Sequence, residues 1–328
     1  VSVRGEKMYV FVILNWNKAS MTINAIRNIQ NTEGKEIPIM VVDNNSNKGE
    51  REKLIDFFKE NNWSIIDEDE NLEVRTRNIL VLAKENYGYA KGNNIGLRLA
   101  KKLGYKWAVI MNNDVLFEQP IMAKLFDLAQ SDNRIAVIGP RIIGPNSNRQ
   151  GPFVKPGVHT YFLLPVFYPV LYPFLKVGTI IRTKMISRKQ IYYPYRLMGC
   201  LMLVNLEAME KAGWFDEGTF LYAEEPILSE RLFKKGYKVA YVDSLYVKHM
   251  HGVTTSELGS KKELLRLNSD LYYFKKYRKY GPFRLFLVKV GFLYSLFVLT
   301  PVLIWIKKNI KCFLKDFYQE LINVFLKK

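Results

Sequence analysis

Cysteine is scarce in this sequence. Cys200 and Cys312 stand far apart, outside any CxxC pair or metal-ligand spacing, which excludes a disulfide framework and a zinc module. A reducing, cytoplasmic setting is the expectation. The start, VSVRGEKMYVFVILNWN, has no secretory signal and passes directly into a strand-like run that already carries polar residues. The GxGxxG dinucleotide fingerprint is missing too, which argues against a Rossmann oxidoreductase. Acidic residues are absent from 133–206, where ten Lys and Arg lie, and 261–328 holds fifteen bases against four acids. These two segments carry the whole excess behind the formal charge of +18. Both are also strongly apolar and aromatic, as in HTYFLLPVFYPVLYPFL and FLVKVGFLYSLFVLTPVLIWI. A duplex-binding surface would interleave its bases with Ser, Thr, Asn and Gln, so nucleic acid is excluded as a partner and an anionic membrane surface is expected.

Unbroken apolar runs long enough for a bilayer are also lacking. The run 290–306 has seventeen residues without a charge, about 25 Å as a helix and short of the usual twenty, and Pro301 interrupts it. Pro165, Pro169 and Pro173 break the earlier apolar stretch, where an interfacial loop or short broken helices are expected. Lys289, Lys307, Lys308 and Lys311 bracket the later run, and CFLKDFYQELINVFLKK follows as a candidate amphipathic helix. The expectation is a helix lying in or dipping into the leaflet at the cytoplasmic face of the membrane, peripheral or monotopic. A true span, or a buried interface in a homo-oligomer, stands as the alternative.

What is present is an alternation of strands and helices. YVFVILNW and IPIMVVDNN are short, rich in Val and Ile, and end in polar residues, with helix periodicity between them at 20–29. NILVLA is a third strand, NNIGLRLAKKLG a helix closed by Gly104, and WAVIMNND a fourth strand. Continuously apolar strands alternating with helices predict an α/β fold with a mainly parallel central sheet. Such sheets bind ligands at the carboxyl ends of their strands. The polar residues fall there: Asn15 and Asn17, Asp43 and Asn44, Asn86, then Asn112, Asn113 and Asp114. Singly, each is as well explained as a cap or turn former; four strand ends in succession suit a nucleotide crevice. A lone carboxylate at a strand end, backed by amides, is what Mg²⁺ or Mn²⁺ takes when diphosphate and water supply the other oxygens, so Asp114 is the candidate metal ligand.

In order, ILNWN, VVDNNS, ENYGYAKGNNIG, MNND, GWFDEGTFLYAEEPILSERL and VKHMHG resemble the family 2 glycosyltransferases of GT-A fold, in their rhamnosyltransferase-like branch. The resemblance implies an inverting transferase that uses a nucleoside-diphosphate sugar, dTDP- or UDP-linked, and a glycan or lipid-linked acceptor in cell-surface glycan synthesis. It implies that Asn15 and Asp43 meet base and ribose, that Asn86, Gly88 and Asn93 lie over the nucleotide-sugar, and that Asn17 and Asn113 belong to the same crevice. Gly88 and Gly92, lacking Cβ, would let backbone amides approach a phosphate or sugar. Where many relatives carry DxD this chain has Asn112, Asn113 and Asp114. A catalytically silent glycan- or lipid-binding scaffold on the same fold is the competing expectation.

Inverting transfer needs a base for the acceptor hydroxyl and an electrophile for the departing diphosphate. Glu224 and Glu225 precede Pro226 at the start of a helix, and Glu225 aligns with the family's acidic base; two acids in a helix's first turn are also ordinary dipole complements. His249 and His251 share one side of an extended segment, and His251, beside Gly252, is the choice to complete the metal or diphosphate site. Gly199 and Cys200 are expected to face sugar or acceptor. The processive QxxRW motif is absent, which argues for addition of one or a few sugars. The expected division is 1–260 as the GT-A catalytic domain, with a nucleotide-binding half to 132 and an acceptor half from 133 that holds the apolar basic insertion at about 151–195. Residues 261–328 form a basic helical extension.

Overall fold

The computed structural model describes residues 2–3, 6–69, 76–250, 261–306 and 308–309. After a short antiparallel pair, Ser2–Val3 with Glu6–Lys7, the main sheet and its helices begin with β1 (Tyr9–Asn15), α1 (Ala19–Thr32), β2 (Ile39–Asp43), α2 (Lys48–Glu60), β3 (Ser64–Asp67), β4 (Ile79–Leu82), α3 (Gly88–Lys102) and β5 (Trp107–Asn112). It continues with β6 (Val115–Leu116), α4 (Met122–Gln130), β7 (Ile135–Ile143) and β8 (Arg149–Gln150). After the apolar insertion, which contains α5 (Tyr168–Ser187), come β9 (Leu201–Asn205), α6 (Leu206–Ala212), α7 (Glu224–Lys234) and β10 (Lys238–His249). The sheet order is β3-β4-β2-β1-β5-β9-β7-β10-β6, with β8 on the side of β7. Its first five strands are mutually parallel, while β9 runs antiparallel between β5 and β7.

Why these strands form is plain from their burial. Side chains alternate across a strand, and here both faces are covered. Phe11, Ile13, Val41 and Val109 pack under Ile26, Ile29, Leu54 and Leu125. Val10, Val12, Val42 and Ile110 pack under Ala90, Leu97, Leu228 and Leu232. α3 lies close on the second face because it is glycine-notched: a Cβ on Gly92 would stand 2.7 Å from Leu14 Cδ1, and one on Gly96 2.5 Å from Val12 Cγ1. The predicted stop at Gly104 is observed, with φ +86°. Register then aligns the site, since Asn15 pairs with Asp43 and Leu14 with Asn112.

Chain contacts divide the molecule into two compact units, 1–155 with 180–273, and 156–179 with 274–328. In the second, a helix runs from Pro282 to Ile306 with mean hydropathy 2.1. Pro301 does not interrupt it, contrary to the sequence expectation. A wide π-type turn at Ser295–Leu299 precedes the proline, and such a turn loosens the ladder where a missing N–H and a bulky ring must be accommodated. The earlier apolar stretch does break, but only once: His159–Val166 and Tyr168–Ser187 meet at 115°. Pro169 sits in the first turn of α5, where no donor is needed, and the helix continues through Pro173. The segment 312–328, expected as an amphipathic helix, lies outside the described residues.

Candidate active site

At the ends of β1 and β2, Asn15 Nδ2 donates to Asp43 Oδ1 (2.9 Å) and to Ser46 Oγ (3.1 Å), and Thr22 Oγ1 donates to Asn15 Oδ1 (2.7 Å). Asp43 Oδ2 accepts Arg51 Nε at 2.7 Å, a charge-assisted bond that offsets the burial of the carboxylate. Asn113 Nδ2 joins the mesh through Thr22 Oγ1 (3.0 Å), and Asn17 joins it through its backbone N–H to Ser46 Oγ (2.8 Å). Asn15, Asn17, Asp43 and Asn113 are thus brought together. Asn15 and Asp43 are fully buried, so they form a floor beneath half-buried Asn17 rather than presenting free surface.

Asn44 ties in the next loop. Its Nδ2 donates to Asn86 Oδ1 (2.9 Å) and to the Gly88 carbonyl (3.1 Å). Asn93 donates to the Tyr89 carbonyl (2.9 Å), while its buried Oδ1 has no hydrogen-bond partner. An orphaned buried acceptor is costly unless a ligand donor or water meets it. The glycines serve a different end from the one expected. A Cβ on Gly88, at φ +73°, would stand 2.0 Å from the Phe220 carbonyl oxygen, and Gly92 abuts Leu14. Both close approaches are to the protein's own chain.

Asp114 follows the end of β5. Its Oδ1 stands 3.2 Å from His249 Nε2, and His249 Nδ1 stands 2.7 Å from Gln150 Oε1. With the Gln150 amide oxygen accepting from Nδ1, Nε2 turns an electron pair toward Asp114 Oδ1, an arrangement that a cation shared by both would complete. An imidazole with an oriented far nitrogen beside one carboxylate is a donor set that fits a divalent cation. No group of three or more His, Cys, Asp or Glu able to hold a metal occurs among the described residues, so diphosphate and water would supply the remaining ligands. His251, the histidine chosen from sequence, lies outside the described residues; the one that meets Asp114 is His249.

Glu224 and Glu225 open α7. Two non-glycine residues in left-handed conformation, Tyr222 (φ 73°) and Ala223 (φ 65°), precede them, and such strain is held only where surrounding structure demands it. Glu224 is buried, its Oε1 makes no hydrogen bond, and burial, then the charge of Glu225, pushes its carboxyl up to about 8. Half-buried Glu225 accepts the Gly199 N–H at 3.1 Å. Across from it, the Asn112 N–H donates to the Cys200 carbonyl (2.8 Å). The Cys200 thiol is pushed up by burial and by the charges of both Asp114 and Glu225, and Tyr89, whose hydroxyl donates to the Gly199 carbonyl (2.7 Å), is raised by burial and by Glu225, Glu224 and Asp114. The strand end that leads to Asp114 and the start of the Glu225 helix thus border the same Gly199–Cys200 turn.

Residues 10–195 match the family described as Glycosyl transferase family 2. The chain belongs to that family. Among curated relatives of this family 2 member is an N-acetylglucosaminyl-diphospho-decaprenol L-rhamnosyltransferase of Mycobacterium tuberculosis, 31% identical over 149 residues, 44% of this chain and 46% of the relative. Another is the low-salt glycan biosynthesis hexosyltransferase Agl10 of Haloferax volcanii, 26% identical over 43% of this chain and 41% of the relative. The match thus spans less than half the length of either. Two solved structures share the GT-A fold at 15% identity. GalNAc-T7 with UDP, GalNAc and Mn²⁺ gives a TM-score of 0.59 over 84% of this chain and 50% of that one. The mannosyltransferase PcManGT of Pyrobaculum calidifontis, with GDP-Man and Mn²⁺, gives 0.54 over 89% and 76%.

Several residues of this family 2 site are invisible to motif reading. Arg51 had a weak local signal, lying near the start of the helix that follows VVDNNS. Gln150 had none, because its meeting with His249 depends on the antiparallel pairing of β8 with β7 and the parallel pairing of β7 with β10. Further along α7, Glu230 meets Lys155 (2.8 Å) and Arg231 meets Asp216 (3.1 Å). Asp216 also accepts the Gly218 N–H (2.8 Å), ordering the loop ahead of α7.

Proposed function

We propose that this chain transfers a single sugar, with inversion, from a dTDP- or UDP-linked donor to a hydroxyl of a lipid-linked or glycan acceptor. The observation that carries the reading is the convergence of Asp114 with His249 and of Glu225 on the Gly199–Cys200 turn. The relatives support its two ends: one is named as a rhamnosyltransferase acting on a sugar-diphosphate lipid, and the solved neighbours hold nucleotide or nucleotide-sugar with Mn²⁺. Rhamnose leads the candidate donor sugars on that ground.

In this reading the mesh around Asn15, Asp43, Ser46 and Arg51 fixes the nucleoside floor, and Asn17 and Asn113 line its edge. Asn86 and Gly88 shape the covering loop, and the orphaned Asn93 Oδ1 accepts a donor hydroxyl. Asp114 and His249 would hold a divalent cation, which when bound neutralises the leaving diphosphate. Glu225, oriented by the Gly199 N–H, takes the acceptor proton as the hydroxyl attacks. Glu224 stays protonated at neutral pH and so adds no second negative charge beside the base. Incubation with a nucleotide-sugar panel and a prenyl-diphosphate-linked sugar tests this: inverted product and released nucleoside diphosphate are expected. Glycan binding without turnover of any donor would favour the silent scaffold instead.

The second unit supports a membrane location for this chemistry. Its apolar side chains are exposed, among them Phe167, Val170, Phe174, Phe286, Phe297 and Trp305. We place the protein, in this reading, at the cytoplasmic face of the membrane.

A further inference from the structure

The acceptor half carries ten bases and no acid between 133 and 206, and several of them borrow a carboxylate from elsewhere in the chain. Arg134 meets Asp132, Arg149 meets Asp243 and Lys155 meets Glu230. Arg182 and Arg196 are half-buried exceptions. Among the described residues no carboxylate lies within ion-pair distance of either guanidinium. Arg182 Nη2 donates to the Pro152 carbonyl at 3.0 Å. The Arg196 guanidinium lies over the Phe153 ring, 4.1 Å from its centre, and its Nε is buried without a hydrogen bond. Two uncompensated guanidinium groups thus gather around one dipeptide. A half-buried cation without an anion is costly, and the cost falls when an oxyanion joins it.

The position of this pair decides what kind of anion fits. On one side, the Phe153 ring packs within 3.1 Å of a Cβ position on Gly151. Gly151 follows Gln150, whose side chain holds His249 against Asp114. On the other side, Arg196 is three residues from Gly199, which bonds Glu225, a reach of at most ~10 Å along extended chain. The pair therefore lies at the two chain segments that carry Gln150 and Gly199, bridged to one another at Phe153 and Arg196, with Tyr195 against the Pro226 carbonyl at the start of the Glu225 helix. We infer that Arg196 and Arg182 bind the diphosphate of a sugar-diphosphate acceptor while its sugar hydroxyl is presented to Glu225. This rests on the transferase reading above. Guanidinium suits the task, since its planar fork matches two phosphate oxygens at once and stacks on an aromatic face without losing its donors.

The test compares two acceptors, geranyl-diphospho-N-acetylglucosamine and octyl N-acetylglucosaminide, in the full chain and in Arg196→Gln and Arg196→Lys. Calorimetric Kd for each acceptor is read beside KM, and thermal midpoints confirm folding. Arg196→Gln is expected to weaken the diphosphate compound tenfold or more in Kd and KM, with the KM for the nucleotide-sugar and the octyl glycoside unchanged. Arg196→Lys keeps the charge and loses the fork, and is expected to fall between; it alone carries the test if the Gln variant does not fold. A raised KM for the nucleotide-sugar with unchanged acceptor binding would assign the arginine to the donor diphosphate and overturn the inference. Equal weakening of both acceptors, or no change in either, would overturn it too. Arg196-dependent binding of the diphosphate compound without any turnover would keep the inference and sink the transferase reading. Turnover of the octyl glycoside without diphosphate binding would do the reverse.

Discussion

At the scale of single residues, two side chains should carry the chemistry and a third should carry its pH dependence. Asp114→Ala and Glu225→Gln are each expected to leave a folded protein whose kcat for nucleotide release with acceptor falls roughly a hundred- to ten-thousand-fold, the range for losing a positioned proton acceptor or its electrostatic counterpart. Full turnover by either variant would remove that residue from the site. Glu224 behaves differently because its carboxyl rises from an ordinary 4.5 to about 8 on folding. Between those values the folded state keeps a proton that the unfolded state has released, so the stability it confers is complete below about 4.5 and is lost as pH rises through about 8. Thermal midpoints of wild type should therefore fall from pH 5 to pH 9 more steeply than those of Glu224→Gln, whose amide is neutral throughout; parallel curves would contradict the assignment. Asp114 and Glu225 could be proposed from sequence because each has a local signal, one at a strand end and one at the start of a helix with proline in its first turn. The contact of His249 with Asp114 and Gln150 had no such signal, because Gln150 lies 99 positions earlier and is brought there by a hairpin.

At the scale of elements, the fold was legible where strands are apolar on both faces, and the stretches read as β1, β2, β4 and β5 all pair in parallel. Sequence missed the depth at which α3 lies on them. Gly92 was read from sequence as a ligand-approach residue, yet it lets the helix sit against Leu14, and Gly96, which drew no reading, does the same against Val12. Gly96→Ala sets two effects against each other. Alanine gains up to about 1 kcal/mol of helix propensity, but the new methyl falls 2.5 Å from Val12 Cγ1, and overpacking a filled core costs about 1–3 kcal/mol. Val12 is fully buried and β-branched, so it cannot swing aside cheaply. Net destabilisation in urea unfolding is expected, larger for Gly96→Val, and a stabilised Gly96→Ala would show that the helix rides higher than described. Proline misled in the opposite direction: Pro301 and Pro173 promised breaks, whereas a π-type turn and the surrounding helix absorb them, an accommodation that depends on neighbouring turns rather than on the residue itself.

At the scale of the whole molecule, the excess charge and the exposed apolar surface belong together. The Pro282–Ile306 helix has 25 residues, ~37 Å at 1.5 Å each, enough for the ~30 Å hydrocarbon core of a bilayer. Only 17% of its most apolar window is buried within the protein. It is fixed at Gly291, where a Cβ would lie 2.0 Å from the Tyr161 carbonyl oxygen, so the turn at His159–Leu163 and the long helix pack closely within this unit. Exposed Lys176, Arg284 and Lys289 flank that apolar surface, where an anionic leaflet would meet them. Purely electrostatic binding would be released by salt within a Debye length, whereas inserted apolar surface would not. Sedimentation with phosphatidylglycerol vesicles should therefore show binding that weakens but persists at 1 M salt. Fluorescence of Trp305, isolated by comparison with Trp305→Phe, should be quenched by brominated acyl chains in those vesicles. Protein that stays in the supernatant with anionic vesicles, or a Trp305 signal indifferent to bromine while the chain dimerises in solution, would assign this face to a second copy of the chain instead of to lipid.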